Sequence, residues 1–335
     1  MSQKKILLSH GGGGEETQNL IKDLFFKHFD NDILLRMEDA ASLVMNDHKI
    51  AFTTDSFVVS PLFFKGGNIG KLAIAGTVND LSMMGAKPRY MTCSFMIEEG
   101  FLYSHLEEIV ITMRDEMAKS GVKIVAGDTK VVPKGGVDGL FINTSGIGEI
   151  MCEDISAHNL ENDDVIIVSN EVGNHGACIL ATREEIELES NLQTDCTSLW
   201  KPVEALIDAG VKIHALRDAT RGGLSAVLNE WAVTSHVCIE VDEAKIPVAK
   251  EVRGVCELLG FEPYEFANEG TMVIALPQSE VEKAVEVLKG FDETAKVAII
   301  GKVSDLYRDK VILHTPWGSE RFLEPPKGEL LPRIC

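Results

Sequence analysis

The sequence is short of several things, and each shortage closes off a class of function. Cysteine is sparse: seven residues, at 93, 152, 178, 196, 238, 256 and 335, with no Cys-x-x-Cys pair among them. An odd, scattered set argues against a disulfide framework and against a zinc site. Long apolar runs are missing, so no segment suits a membrane span. The opening "MSQKKILLSHGGGG" has only a three-residue apolar run after its lysines. That is too little for a secretory signal, and the expectation is a cytoplasmic protein. Positive charge is scarce: 32 Lys and Arg stand against 52 Asp and Glu, for a net charge of −20. Such a surface repels nucleic acid and anionic lipid and favours basic protein partners. A phosphate ligand must then be met locally, by backbone dipoles, a few lysines or a metal. Repeats of solenoid period and low-complexity runs are also absent.

What is present is an ordinary globular composition, 45% hydrophobic and 25% charged. The length of 335 residues suggests about two domains. In the first half, strand and helix patterns alternate. "TQNLIKDLFFKHF" carries a helical apolar stripe, and "KIAFTTDS" reads as a strand ending at Asp55. "NIGKLAIAGTVNDLSMMG" reads as a mostly buried helix capped by Asn68 and closed by Gly85. "RYMTCSFMIEE" is a strand, 102–120 a helix stopped by Gly121, "VKIVAGDTK" a strand running into Asp128, and "DGLFINTSGIGEI" a long strand. The polar stretch 152–163 breaks the pattern. The second half resumes with "DVIIVSN", helices near 175–189, 199–209, 223–235, 249–259 and 278–290, and strands near 212–217, 237–241, 271–276, 296–303 and 310–314. These readings predict an α/β fold with domains at 1–152 and 153–314 and a Pro-containing tail at 315–335.

Several residues could carry chemistry. In "SHGGGGEET", Gly11, Gly12, Gly13 and Gly14 open the first helix and would let backbone N–H groups approach an anion. No Gly-Lys-Ser/Thr follows, so this is not a Walker loop. Asp55, Asp128 and Asp218 follow strand patterns, the side of α/β sheets where ligands collect, and carboxylates there suit Mg²⁺. Asp80 is odder, because apolar residues flank it on nearly every face of its helix. An ionised carboxylate in that setting is costly unless paired or metal-bound. Lys130 shares a strand face with Asp128 and reads as a phosphate contact, a base or a surface ion pair. Arg221 in "DATRGG" is either an anion contact or a loop charge, and Glu269 in "FANEG" is either an acid–base group or a turn acid. His10, His175 and His214 are isolated, with no spacing that suits a metal site.

Cys93, Cys178 and Cys256 lie in apolar periodic segments and read as core residues. Cys335 stands apart at the end of "LLPRIC", behind Pro316, Pro325, Pro326 and Pro332. It is not a prenylation signal, which places the cysteine fourth from the end. The roughly 20 residues after the last expected strand could reach ~70 Å if extended, at about 3.3 Å per residue. A thiol on such an arm could be loaded at one site and delivered to another.

Taken together, "SHGGGG", "FTTDSFVVSPLFF", "GGNIGKLAIAGTVNDLSMMGAKPRY", "AGDTKVV", "LRDATRGGL", "RGVCELLG", "FANEG" and "PRIC" resemble the HypE family of hydrogenase maturation factors, the carbamoyl dehydratases. The resemblance spans nearly the whole chain in family order, and "PRIC" is its most specific element. It implies an aminoimidazole ribonucleotide synthetase-like fold of two α/β domains, the first pairing with its copy in a homodimer. It implies Mg²⁺ and ATP as cofactors, with a HypF-type carbamoyltransferase and a HypC–HypD-type iron scaffold as partners. The implied reaction loads a carbamoyl group onto Cys335, dehydrates the S-carboxamide to an S-cyanate with ATP, and passes cyanide to iron. Asp55, Asp80 and Asp128 would hold the metal. Gly11, Gly12, Gly13, Gly14, Lys71, Asn79, Asp80, Asp128 and Arg221 would contact ATP. Lys130 and Glu269 would serve proton transfer and amide positioning around the carrier Cys335, with Arg333 favouring the thiolate and the docked tail. A selenophosphate synthetase of the same fold usually carries a reactive cysteine in its glycine loop, and none is present here. A kinase leaves the terminal cysteine without a role, and a non-catalytic docking adaptor would not need the four ligand-side acids.

Overall fold

The computed structural model describes residues 14–26, 28, 32–45, 48–184, 192–326, 331 and 333–335. Its first half runs α1 (Glu15–Leu20), continued by a π-helical turn at Ile21–Phe26, then β1 (Ala41–Met45), β2 (His48–Phe57), β3 (Phe63–Phe64) and β4 (Gly67–Asn68). There follow α2 (Ile69–Met83), β5 (Ala86–Glu98), α3 (Tyr103–Ser120), β6 (Lys123–Val132) and β7 (Leu140–Ile150). Five of these strands form one sheet in the order β1-β2-β7-β5-β6, antiparallel except for the β5–β6 edge. The second half runs β8 (Val165–Val168), α4 (Asn174–Arg183), α5 (Trp200–Asp208), β9 (Ala215–Asp218), α6 (Gly223–Ser235) and β10 (Cys238–Asp242). It continues with α7 (Lys250–Leu259), β11 (Met272–Leu276), α8 (Val281–Leu288), β12 (Ala298–Ser304), β13 (Lys310–His314) and β14 (Glu320–Phe322). Its sheet has the order β14-β13-β10-β12-β8-β11-β9, with only β10–β13 parallel.

Helix α2 joins the two halves. Asn68 starts it by accepting the Gly70 and Lys71 N–H groups at 2.9 and 3.2 Å, which satisfies donors that a helix N-terminus leaves open. The helix is apolar nearly all round, and a helix of that kind is buried. It packs on β2, β5 and β7 and on α3 within its own half, and reaches β9 and α5 in the other. Gly121 stops α3 in the left-handed region, at φ 77°. Cys93, Cys178 and Cys256 are buried, as the apolar spacing predicts.

Three expectations change. The pairing is mostly antiparallel, so the acids are not gathered by parallel strand ends. Strand β6 does not stop at Asp128; it continues to Val132, with Asp128 opposite Ser94 on β5. The segment 315–335 is not all tail, since β14 pairs antiparallel with β13. At its far end, Val58 N donates to the Cys335 carbonyl at 3.0 Å and Ser60 N to the Arg333 carbonyl at 3.1 Å. The last residues therefore lie antiparallel along 58–60, and Ile334 is buried.

Candidate active site

The end of β2, the middle of α2, the end of β9 and the turn before β11 converge on one cavity of about 260 Å³. Its lining includes Asp39, Asp55, Asp80, Asp218, Glu230 and Glu269, against only two cations, Arg217 and Arg221. Cys335 also lines it. Six carboxyl groups facing two guanidinium groups in a desolvated space cannot all stay ionised without further positive charge.

The individual environments show this conflict. Asp80 comes from α2 and accepts the Thr53 hydroxyl at 2.7 Å. Burial, then the nearby Asp218, Asp55 and Asp39, hold it well above the usual carboxylate range, and the Thr53 bond only partly offsets them. Burial also raises Asp55, opposed by Arg221. Asp218, the last residue of β9, is pushed up to about 6 by burial, with Arg217 working against the shift. Asp39 is raised by burial although the Arg217 Nε lies 2.8 Å from its Oδ1. Arg217 also reaches Glu230, at 3.1 Å. Glu269 is raised by burial and then by Asp218, and its Oε1 is buried with no hydrogen-bond partner.

The turn that carries Glu269 is held from below. The Asp195 carboxylate accepts the Glu269 and Gly270 N–H groups, each at 3.1 Å, and the Thr271 hydroxyl at 2.9 Å. Cys335 enters beside Arg221. Burial pushes its thiol above the ordinary range and Arg221 opposes this. Burial thus favours the protonated thiol over the thiolate that sequence reasoning expects near Arg333. Arg333 instead donates to the Val58 carbonyl at 2.8 Å, pairs with Asp138 and lies over the Phe141 ring, so it holds the tail.

Of the residues expected from sequence, Asp55, Asp80, Arg221, Glu269 and Cys335 come together. Asp128 and Lys130 do not: they form an exposed ion pair of 2.7 Å on the sheet edge β6, two strands beyond β7. Lys130 holds the Asp128 carboxyl below its usual range. Asn79 is spent on the main chain. It donates to the Thr197 and Glu269 carbonyls at 3.1 and 3.3 Å and accepts Leu199 N at 2.8 Å, which joins the two halves and leaves none of its amide hydrogens for a nucleotide. Lys71 lies outside the lining and donates to the Gly66 carbonyl at 2.9 Å. Gly14 is the N-cap of α1 and is not in the lining, although Gln18 of the same helix donates to the cavity residue Glu230 at 3.1 Å; Gly11, Gly12 and Gly13 lie outside the described residues. Asp39, Thr53, Arg217 and Glu230 escaped sequence reasoning. The acid pair of "RMEDAAS" just before β1 is the one signal that pointed to Asp39.

The two halves of the chain match the two domain models of the AIR synthase related proteins. The N-terminal model of that class matches residues 37–150 and its C-terminal model matches 161–314. Within it, the chain belongs to the HypE carbamoyl dehydratase family. It is 46% identical over 337 residues to the carbamoyl dehydratase HypE of Escherichia coli (strain K12), covering 98% of this chain and 99% of that one. A solved HypE–HypF complex has a HypE-like chain at TM-score 0.87 and 43% identity, covering 92% of this chain and 99% of that chain. A HypE solved in complex with ATP matches at TM-score 0.83 and 42% identity, covering 99% and 100%.

Proposed function

We propose that this chain dehydrates a carbamoyl group carried on the Cys335 sulfur to an S-cyanate at the expense of ATP, supplying the cyanide ligands of [NiFe] hydrogenase. The observation that carries the reading is the sulfur itself, brought by the tail into a cavity of carboxylates beside Arg221 and Glu269. Residues 1–152 would form the ATP-binding and dimerising domain, 153–314 the second domain, and the end of the chain a carrier arm.

Bound ATP would supply a phosphoryl group to the amide oxygen, making it able to leave, and Mg²⁺ would supply positive charge beside the carboxylates and phosphates. The donor set fits Mg²⁺, because Asp39, Asp55, Asp80 and Asp218 present only oxygen. Among the described residues no three such side chains converge on one point. The ion would therefore complete its shell with phosphate and water, as Mg²⁺ prefers. The depression next to the cavity shares Asp39, Thr53 and Thr54 and is lined further by Phe52 and Met84, which suits a nucleotide base. Glu269 is our candidate to take an amide proton, because it lines the cavity, its buried Oε1 has no hydrogen-bond partner and its raised pKa makes its ionised form a stronger base than a surface carboxylate. Arg221 would steady the negative charge that develops next to the sulfur.

A homodimer fits the one exposed edge that carries functional residues. β6 is solvent-exposed along almost its whole length, Val125 and Val131 being 60% and 66% exposed. Open apolar edges of this kind call for a partner strand. Pairing with a second copy would offer Asp128 and Lys130 to the neighbour's cavity. A HypF-type carbamoyltransferase would load the arm and a HypC–HypD-type scaffold would receive the cyanide, all in the cytoplasm.

The test is intact mass of protein carbamoylated at Cys335, with and without Mg²⁺–ATP. Loss of one water from the tail peptide is expected only with both Mg²⁺ and ATP, and not in Cys335→Ala. A tail that loads but never loses water would reduce the chain to a carrier.

A further inference from the structure

The docked tail is held through its main chain. Val58 N and Ser60 N reach the Cys335 and Arg333 carbonyls. Arg183 donates from Nε to the Ser60 carbonyl at 2.6 Å and from Nη2 to the Arg333 carbonyl. The Ile334 carbonyl is taken by His175, the second residue of α4, whose Nε2 lies 2.8 Å away. His175 has no exposed surface, and the Phe64 ring meets its imidazole edge-on at 5.5 Å.

The bonds settle the tautomer. A carbonyl can only accept, so Nε2 carries the hydrogen. Burial keeps the ring neutral, with its pKa lowered to about 4. Nδ1 is then an acceptor, and its partner at 2.7 Å is the Thr194 hydroxyl, which must donate. The same hydroxyl accepts Cys196 N at 3.0 Å, and Thr194 N donates to the Lys65 carbonyl at 3.0 Å. Thr194 thus sits in a fixed loop. Its neighbour in the chain is Asp195, the carboxylate that holds the Glu269 turn.

We propose that His175 is a positioning residue. It seats the Ile334–Cys335 peptide and, through Thr194, ties the docked tail to the loop that holds Glu269. Among the tail contacts in the described residues, His175 is the side chain with a second bond into that loop. The clasp touches no atom of the sulfur, so it holds a free, carbamoylated or cyanylated tail alike. The inference rests on the dehydratase reading only for the chemical step; the seating of the tail stands without it.

The experiment uses the full chain in three forms: wild type, His175→Phe and His175→Gln. Glutamine can still donate to the Ile334 carbonyl. First, the rate of Cys335 alkylation by iodoacetamide is read from the mass of the tail peptide at fixed pH. His175→Phe should react about tenfold faster than wild type, the factor for one lost hydrogen bond, and His175→Gln should stay near wild type. Second, protein carbamoylated beforehand is followed through one turnover. In His175→Phe the first-order dehydration rate should fall severalfold, with the half-saturating Mg²⁺–ATP concentration unchanged and loading no slower than in wild type. A merely structural role would shift that concentration and slow loading as well. If folded His175→Phe matches wild type in alkylation and in dehydration, the proposal is overturned. If that variant does not fold, Thr194→Val leaves the ring in place and removes the tie. Slower dehydration there supports the proposal, and wild-type rates refute it. Faster alkylation in His175→Phe with no dehydration in any form, wild type included, would overturn the dehydratase reading and leave the seating role standing.

Discussion

Asp80 shows how much one residue can reveal. A carboxylate set in an otherwise apolar helix has no cheap explanation, and the structure places it in the lining of the acidic cavity. Asp128 has the same residue type and a similar local pattern, but within a single copy of the chain it is exposed. Its strand continues past it, and its charge is satisfied by Lys130 at the surface. His175 was unreadable in sequence because its partners, Thr194 and Ile334, are brought in by the fold over 19 and 159 positions. Its burial makes a prediction about pH. A free histidine titrates at 6.5 and this ring only at about 4, with desolvation and then the nearby Arg183 working against the charge and the Ile334 carbonyl favouring it. Between those values the unfolded chain binds a proton that the native one does not. The stabilisation is thus complete above about 6.5 and is lost as pH falls towards about 4. The His175 ring resonance in NMR should titrate with a midpoint near 4; a midpoint near 6.5 would place the ring in solvent, with no tail over it.

The long elements were legible because their ends are marked chemically. Asn68 caps α2 and Gly121 ends α3, and both positions act as their residue types predict. The edge strands β1 and β14 were not legible, since "ASLVM" has no strict alternation and "ERF" is short and mostly polar. The antiparallel pairing was hidden for a different reason. Alternating strands and helices suggest parallel crossovers, and only long-range register shows otherwise. The turn before β11 is the most constrained element of the site. A Cβ at Gly270 would lie 1.9 Å from the Asp195 carbonyl oxygen, a backbone atom that cannot swing aside. Gly270→Ala should therefore destabilise the protein by about 1–3 kcal/mol, the usual cost of overpacking. It should also lower the dehydration rate more than it lowers loading. Thermal denaturation together with single-turnover rates checks this, and an unchanged melting temperature would show that the turn has room to relax.

At the scale of the molecule, the excess of acid is local as well as global, since the −20 surface encloses a cavity with the same imbalance. Two halves, pinned together by α2 and Asn79, shape that cavity, and the open edge β6 lies outside it. If β6 serves a neighbouring copy, Cys335→Ala and Lys130→Ala should each abolish dehydration alone and restore it when mixed as heterodimers. Each mixed dimer would then hold one complete site of two, so about half the wild-type turnover is expected from a purified mixed dimer. No recovery would mean that Lys130 acts within its own chain or not at all. The antiparallel seating of the last residues along 58–60 has a kinetic consequence. An arm already lodged in its own cavity makes dehydration first order as long as any dimer it depends on stays intact. A partner that acts on the arm from outside must meet it in a second-order step, which slows on dilution. Dilution that leaves a dimer intact should therefore leave the chemical step untouched while the cyanylated form accumulates for want of an acceptor.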